Sequence, residues 1–275
     1  MRKAARIEQN VAFTILWLTA IVTILILAWI VLYIMWQGWP VVNARFLLTA
    51  PERMGRGGGI SVVIIGTVYL TILSMFIATP VGVGAAIYLT EYQRQGKWIY
   101  AIRFFTETLA GIPSIVFGLF AYAFFAVFLK FGFSLLSGAL ALAMIVLPTV
   151  IRTSEEAIRA VDPGYKEASL ALGATLWTTV HKVILPAALP GIVTGILLSI
   201  GRIAGESAAL LLVCSSLNIP GSLMEPVKPM TLHLYTLAVE GLSMERAYGT
   251  AAVLIIMVLV LNLLGHWWKT RAYRN

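Results

Sequence analysis

Charge is scarce in this chain. Only 12% of its 275 residues are Asp, Glu, Lys or Arg, against 60% that are hydrophobic, and the mean hydropathy is +0.90. A soluble domain carries about twice that share of charge, so the composition excludes a water-soluble enzyme and fits a polytopic membrane protein. Cysteine is nearly absent. Cys214 stands alone in an apolar run, which excludes a disulfide framework and a cysteine metal site and leaves inert packing as its expected role. The histidines are equally sparse: His181 and His233 fall in polar loops and His266 near the final membrane interface. They form no metal-spaced cluster. There is no GxxxxGK[ST], so the chain does not hydrolyse ATP through a phosphate loop of its own. The triplet Gly57–Gly59 lacks the following Lys-Ser/Thr and reads as a flexible linker. HExxH, GxSxG and paired intramembrane carboxylates are missing too, which argues against a membrane-embedded hydrolase. No internal repeat is evident, and neither is a cleavable signal peptide, because the first apolar run, Val11 to Trp36, is too long for one.

What the chain does have is long apolar runs. Six spanning helices are expected, at roughly 11–36, 60–90, 104–129, 135–152, 190–216 and 247–268, each long enough to cross about 30 Å of hydrocarbon. With the N-terminus inside, thirteen of the 20 Lys and Arg residues fall in cytoplasmic segments: in the N-terminal tail (Arg2, Lys3, Arg6), around Arg94, Lys97 and Arg103, in the loop region from Arg152 to Lys182, and in the C-terminal tail (Lys269, Arg271, Arg274). Six fall outside, at Arg45, Arg53, Arg56, Lys130, Lys228 and Arg246, and Arg202 lies within a span. Basic residues concentrate on the cytoplasmic side of membrane proteins, so both termini are expected there. The net charge of +8 is explained by that bias, and its placement excludes a nucleic-acid binder. The outer segments 37–59 and 217–246 are too short for a folded external domain, although the second has room for a short re-entrant or surface helix. Pro80, Pro113 and Pro148 lie within or at the ends of spans, where they bend helices and set the fold's geometry. Small residues at Gly82–Ala86, Ala110-Gly111 and Gly191–Gly205 allow close helix packing.

The longest polar interruption is Asp162 to Pro190. Asp162 accepts from orphan amides and Pro163 suits the first helical position, so a short helix is expected to about Leu172. Tyr165, Ala168 or Ser169, and Leu172 fall on one face of it. Gly173 supplies a left-handed stop. A second short helix is expected from about Thr175, with Pro186 and Pro190 marking re-entry into the membrane. Such a pair at the membrane surface fits a groove in another protein.

The fifth expected span contains GRIAGESAALLL. Arg202 and Glu206 are four residues apart, which predicts a shared helical face. A charge at membrane depth costs several kcal/mol unless paired or wetted, so these residues are candidates for a substrate path. Gly201 and Gly205 keep that face thin. A guanidinium offers forked donors that match an oxyanion, and Glu206 is positioned to hold Arg202 when the anion is away. A buried ion pair that only fixes packing is the competing reading. Glu107 is expected to reach the cytoplasmic interface or to partner Arg103.

The loop resembles the signature of ABC-importer permeases. Glu167-Ala168-Ser169 is followed after three residues by Gly173, and after nine more by Val183, Ile184 and Leu185-Pro186. Ser169 and Val183 are conservative departures. Further stretches resemble the phosphate-specific PstA family of permeases: GVGAAIYLTEY at 82–92, LAGIPSIVFGLF at 109–120, the runs at 147–175 and 185–211, HLYTLAVEG at 233–241 and ERAYGTAAVL at 245–254.

That resemblance implies an all-α type I ABC importer (MetI-like) permease fold, with an N-terminal tail, first helix and outer loop over 1–58, a permease core over 59–268 holding the coupling loop at about 153–187, and a cytoplasmic tail over 269–275. It implies an importer subunit for inorganic phosphate in a bacterial or archaeal cytoplasmic membrane. The implied partners are a PstC-like permease, two PstB-like ATPases and a PstS-like phosphate-binding protein. No cofactor is implied for this chain, since ATP-Mg would be bound by the partner ATPase. The resemblance places Arg202, Glu206 and Ser207 on the phosphate path. It assigns Tyr165, Glu167, Ala168, Ser169, Gly173, Leu185 and Pro186 to the ATPase-coupling element. The family usually has Thr or Ala-Pro after Gly-Glu, where this chain has Ser207-Ala208. A permease for another oxyanion, such as molybdate or sulfate, is the near alternative. An ion-coupled secondary transporter is the distant one, and the spaced loop argues against it.

Overall fold

The structure is a computed structural model that describes residues 2–92, 96–214 and 216–272. The expected Arg94 and Arg274 lie outside the described residues. In chain order the helices begin with α1, Arg2–Gly38, and the short α2, Ala44–Leu48. A two-stranded hairpin follows, β1 Pro51–Glu52 against β2 Gly57–Gly58. Then come α3 (Ser61–Ile87), α4 (Lys97–Gly111), α5 (Ser114–Ala121), α6 (Leu135–Arg159), α7 (Pro163–Ala171), α8 (Leu176–Thr179), α9 (Leu185–Gly205), α10 (Met230–Val239) and α11 (Met244–Ala272).

Among the described residues five helices are long and apolar enough to cross a membrane: Gln9–Gly38, Ser61–Tyr92, Leu135–Arg159, Leu176–Gly205 and Met244–Trp267. A sixth span is available only if a bent pair counts as one. The expected straight span at 104–129 is this pair. α4 and the helix through Phe128 meet at 101°. The break has a local cause. Pro113 disfavours helical backbone at the residue before it, and Ile112 is extended, at φ −72° and ψ 133°. Pro80 and Pro148, by contrast, sit inside continuous helices.

The fifth span also differs from its expected limits of 190–216. It begins at Leu176 and ends at Gly205, so the second helix of the loop does not stop before the membrane. It runs on through a wider π-turn at Val180–Ile184. Pro186, which has no N–H to give, falls in the first turn after that widening. Pro190 lies within α9.

The core forms where α3, α6 and α9 pack side by side. Leu70, Met75, Leu142, Val146 and Val150 are buried there with Phe117 of α5. Small residues set the spacing: a Cβ on Gly82 would stand 2.6 Å from Val150 Cγ1. Cys214 is buried in the same cluster, against Gly138 of α6, which matches inert packing. α1 lies apart. None of its most apolar stretch is buried, and it touches the body through α11, where Tyr33 stands edge-on to Tyr248 at 5.9 Å.

After α9 the chain crosses the end of the bundle without a regular helix, apart from one 3-10 turn at Leu210–Leu212. Its polar groups are taken up one by one. Leu135 N–H donates to Glu225 O at 2.8 Å and Leu136 N–H to Leu223 O at 2.9 Å. Met230 N–H donates to Thr67 Oγ1 at 2.9 Å. α10 then packs inward. His233, expected in a polar loop, is 1% exposed because the α10 face bearing Met230, His233 and Leu237 is covered by its neighbours.

Candidate functional site

Two regions carry the candidate residues. The first is the loop between α6 and α9. Asp162 Oδ1 accepts from Gly164 N–H at 2.8 Å, Pro163 occupies the first turn, and α7 follows as expected. Gly173 takes φ +82° with nothing close around the position a Cβ would fill, so the turn needs glycine for its backbone alone. Thr175 caps α8 through Thr178 N–H at 3.3 Å.

No residue of α7 is buried. Tyr165 is 60% exposed and Leu172 89%, and Glu167 and Ala168 are exposed beside them. Large apolar side chains left bare on a short helix are the usual mark of a docking surface. Ser169 turns the other way. Its hydroxyl meets that of Thr179 at 2.9 Å, and Thr179 is fully buried. The face offered outward is therefore Tyr165–Ala168–Leu172, and Ser169 ties α7 to the start of the span. The rest of the motif is anchored. Leu185 packs on a cluster containing Ala86, Ile158 and Ile184, while Pro186 stays exposed.

Around this loop lies a set of ion pairs that the sequence reading did not assemble. Lys166 Nζ on α7 is 2.6 Å from Glu91 Oε2 at the end of the α3 span. Arg103 of α4 and Arg159 of α6 share one oxygen of Glu155, at 2.6 and 2.7 Å. Arg152 and Glu156 pair at 3.2 Å with both side chains about two-thirds exposed. Arg103 thus partners Glu155 rather than Glu107. Glu155 is 13% exposed while Glu107 faces outward, and a carboxylate in a drier setting attracts a guanidinium more strongly. Glu107 lines a cavity of about 190 Å³ beside Arg103, Pro148 and Glu155. The i,i+4 spacings of Arg152–Glu156 and Glu155–Arg159 were a legible signal for two of these pairs. Nothing in the sequence joins Lys166 to Glu91.

The second region is the end of α9. Arg202 sits in its last turn, and the helix stops at Gly205. Glu206 has extended backbone, φ −78° and ψ 128°, so the expected shared helical face does not form and no Arg202–Glu206 ion pair occurs among the described residues. Glu206 is engaged otherwise: Oε1 accepts from Ala209 N–H at 3.2 Å and its carbonyl from Thr231 Oγ1 at 2.7 Å. These bonds start the crossing segment and hold it to α10, which is why the helix ends there. Ser207 is half-buried, and its carbonyl accepts from Leu211 N–H at 3.1 Å.

Arg202 itself is exposed. The glycines of this stretch divide into two groups. Gly191 and Gly195 press on Ala157 and Thr153 of α6, whereas Gly201 and Gly205 have nothing within 4 Å of an added Cβ. The guanidinium therefore stands on an open, thin face of the bundle. A charge turned to hydrocarbon is costly, so such a face is stable when the guanidinium reaches water from the end of the span or is covered by another polypeptide.

At the same end of the molecule, burial pushes the imidazole of His233 down to about 4, with the positive charges of Lys228 and Arg246 adding to the effect. Burial also lowers the Lys228 ammonium, opposed by Glu240. No group of three or more His, Cys, Asp or Glu side chains suited to a metal occurs among the described residues.

Comparison with known proteins agrees with this architecture. Residues 78–274 match the family described as the inner membrane component of binding-protein-dependent transport systems. The chain is 34% identical over 287 residues to a probable ABC transporter permease protein, YqgI, of Bacillus subtilis, covering 98% of both chains. It is 34% identical over 270 residues to a phosphate transport system permease protein PstA of Mycobacterium tuberculosis, covering 94% of this chain and 87% of the relative. In fold it is similar to a chain of a bacterial alginate ABC transporter solved with its pentasaccharide-bound periplasmic protein, at a TM-score of 0.70 and 14% identity over 95% and 94% of the two chains. It is similar also to a chain of the inward-facing MetNI methionine ABC transporter, at a TM-score of 0.65 and 22% identity over 75% and 93%. The fold is that of a type I ABC importer permease.

Proposed function

We propose a function on one premise: the chain belongs to the family of binding-protein-dependent transport system inner membrane components, and it is an ABC importer permease subunit. On that premise it forms half of a path for inorganic phosphate and couples to a cytoplasmic ATPase through α7. The observation that carries the coupling reading is that α7 buries none of its residues and leaves Tyr165 and Leu172 bare. A helix this short is marginal unless something packs on it. The covering partner is an ATPase, one of two PstB-like copies, each with its own ATP-Mg. Glu167, Ala168 and Gly173 belong to the docking element, and Leu185 and Pro186 root it in the span.

The open face at Arg202 is covered by a PstC-like permease, and phosphate arrives from a PstS-like binding protein on the opposite side. Both termini lie in the cytoplasm. Relatives named as phosphate permeases over most of the chain support phosphate as the cargo. Arg202 offers the oxyanion a transient forked site. With the carboxylate of Glu206 directed to Ala209 N–H, the guanidinium is free to do so. Closure of the ATPases pushes on α7, the two permeases rearrange, and phosphate passes inward.

The test is ATP-dependent uptake of labelled phosphate into vesicles carrying the chain with its partner permease, ATPase and binding protein. Wild type is expected to take up phosphate, and Arg202→Gln to lose most of it with the complex intact and hydrolysing ATP. Unchanged uptake by Arg202→Gln would remove Arg202 from the path. Uptake of molybdate or sulfate in place of phosphate by wild type would move the chain to a sister permease.

A further inference from the structure

We infer that the ion pair between Lys166 and Glu91 is the link through which displacement of α7 reaches the bundle core, which makes Lys166 a positioning residue of the coupling step. The inference rests on the docking reading above. α7 is joined to its surroundings in few ways. The chain enters it at Asp162 and leaves through Gly173, whose φ of +82° and open surroundings make a pliant exit. The Ser169–Thr179 contact joins residues ten apart in sequence and ties α7 only to the start of the span that directly follows it. Lys166–Glu91 is different in kind. It joins residues 75 apart at 2.6 Å and connects α7 to the end of the Ser61–Tyr92 helix.

That helix is a suitable receiver. It is continuous over 32 residues and packs along α6 with Gly82 against Val150, so a push at its end is carried into the core as a rigid body. The pair is suited to transmit force. The Glu91 side chain is 10% exposed and that of Lys166 is 35%, so water and salt screen the pair less than an exposed one. Separating it would strand a nearly buried carboxylate. Among the described residues no other salt bridge involves Lys166 or Glu91, and the Arg103–Glu155–Arg159 cluster joins α4 to α6 and leaves α7 out.

The experiment uses the assembled four-component transporter in vesicles and reads phosphate taken up per ATP hydrolysed. Lys166→Met and Glu91→Gln are each expected to keep hydrolysis running while the ratio falls about tenfold. The exchanged pair, Glu91→Lys with Lys166→Glu, is expected to recover at least half of the wild-type ratio. A merely structural contact would lower assembly without changing the ratio. Single variants with a wild-type ratio would overturn the inference. So would an exchanged pair that stays uncoupled, since the residues would then act separately.

If single variants fail to assemble, Glu91→Cys with Lys166→Cys is bridged by a short, cleavable bifunctional thiol reagent, which spares buried Cys214. Coupling is expected while the bridge is intact and lost on cleavage. Equal ratios before and after cleavage sink the link. Uptake by wild type that does not depend on the ATPase would instead refute the docking reading, and the link with it.

Discussion

The two ends of the helical bundle are held in different ways. Around α7 the ties are ion pairs: Lys166–Glu91, the shared Glu155, and the exposed Arg152–Glu156 pair. At the opposite end the segment between α9 and α11 is held by directed hydrogen bonds in dry surroundings, such as Met230 N–H to Thr67 Oγ1 and Thr231 Oγ1 to Glu206 O. Coulomb attraction falls off gradually with distance, so an ion pair holds while its geometry changes. A buried donor that loses its acceptor has no replacement. The contrast makes the α7 end the movable one and the α10 end the fixed one.

The largest effect expected outside the ion pairs is at the fixed end. Thr67→Val keeps the shape of the side chain and leaves the buried Met230 amide unpaired, at a cost of about 1–3 kcal/mol. Thermal unfolding of the purified complex would report it, and a variant as stable as wild type would show that this end is not held by such bonds.

The second effect is a pH dependence at the same end. His233 is held near 4 in the folded state, below the ordinary value of 6.5. A depressed histidine is neutral when folded, so its stabilisation is complete above pH 6.5 and is lost as pH falls toward 4. Over that window each pH unit costs at most about 1.4 kcal/mol. His233→Gln is expected to flatten the melting temperature between pH 6.5 and 4.5. A curve that keeps the wild-type slope would assign the dependence to other groups.

The smallest effect is at the movable end. Ser169→Ala removes the hydroxyl contact to Thr179. It is expected to cost about 0.5–1.5 kcal/mol in loop stability, read as faster amide exchange over 163–179, with uptake nearly unchanged. A large loss of uptake would mean that the contact carries force itself and would blur the distinction between the two ends.

Much of this was legible in advance. Five of the spans follow from apolar runs that only a membrane accommodates. The limits of α7 follow from Asp162, Pro163 and Gly173, whose backbone preferences act within a few residues. The outward face of α7 was readable to within one choice, Ala168 or Ser169, and the position of Thr179 decided it. The end of α9 was not readable. GRIAGESAALLL is as apolar as a helix needs, and the helix stops at Gly205 because Glu206 finds Ala209 N–H nearby and Thr231 across the fold. Arg103 likewise had an acid at the right helical spacing, Glu107, and took a drier one from another helix.

By itself, then, the sequence determined the membrane character, the number of apolar runs, the local geometry of the loop from Asp162 to Pro190 and the family to which the chain belongs. These are set by composition and by interactions between residues close along the chain. Tertiary structure alone decided where the fifth span ends, that His233 and α10 turn inward, and that Lys166 meets Glu91. Each of those outcomes depends on a partner far away in sequence or on how two helices share space, and no local pattern encodes either.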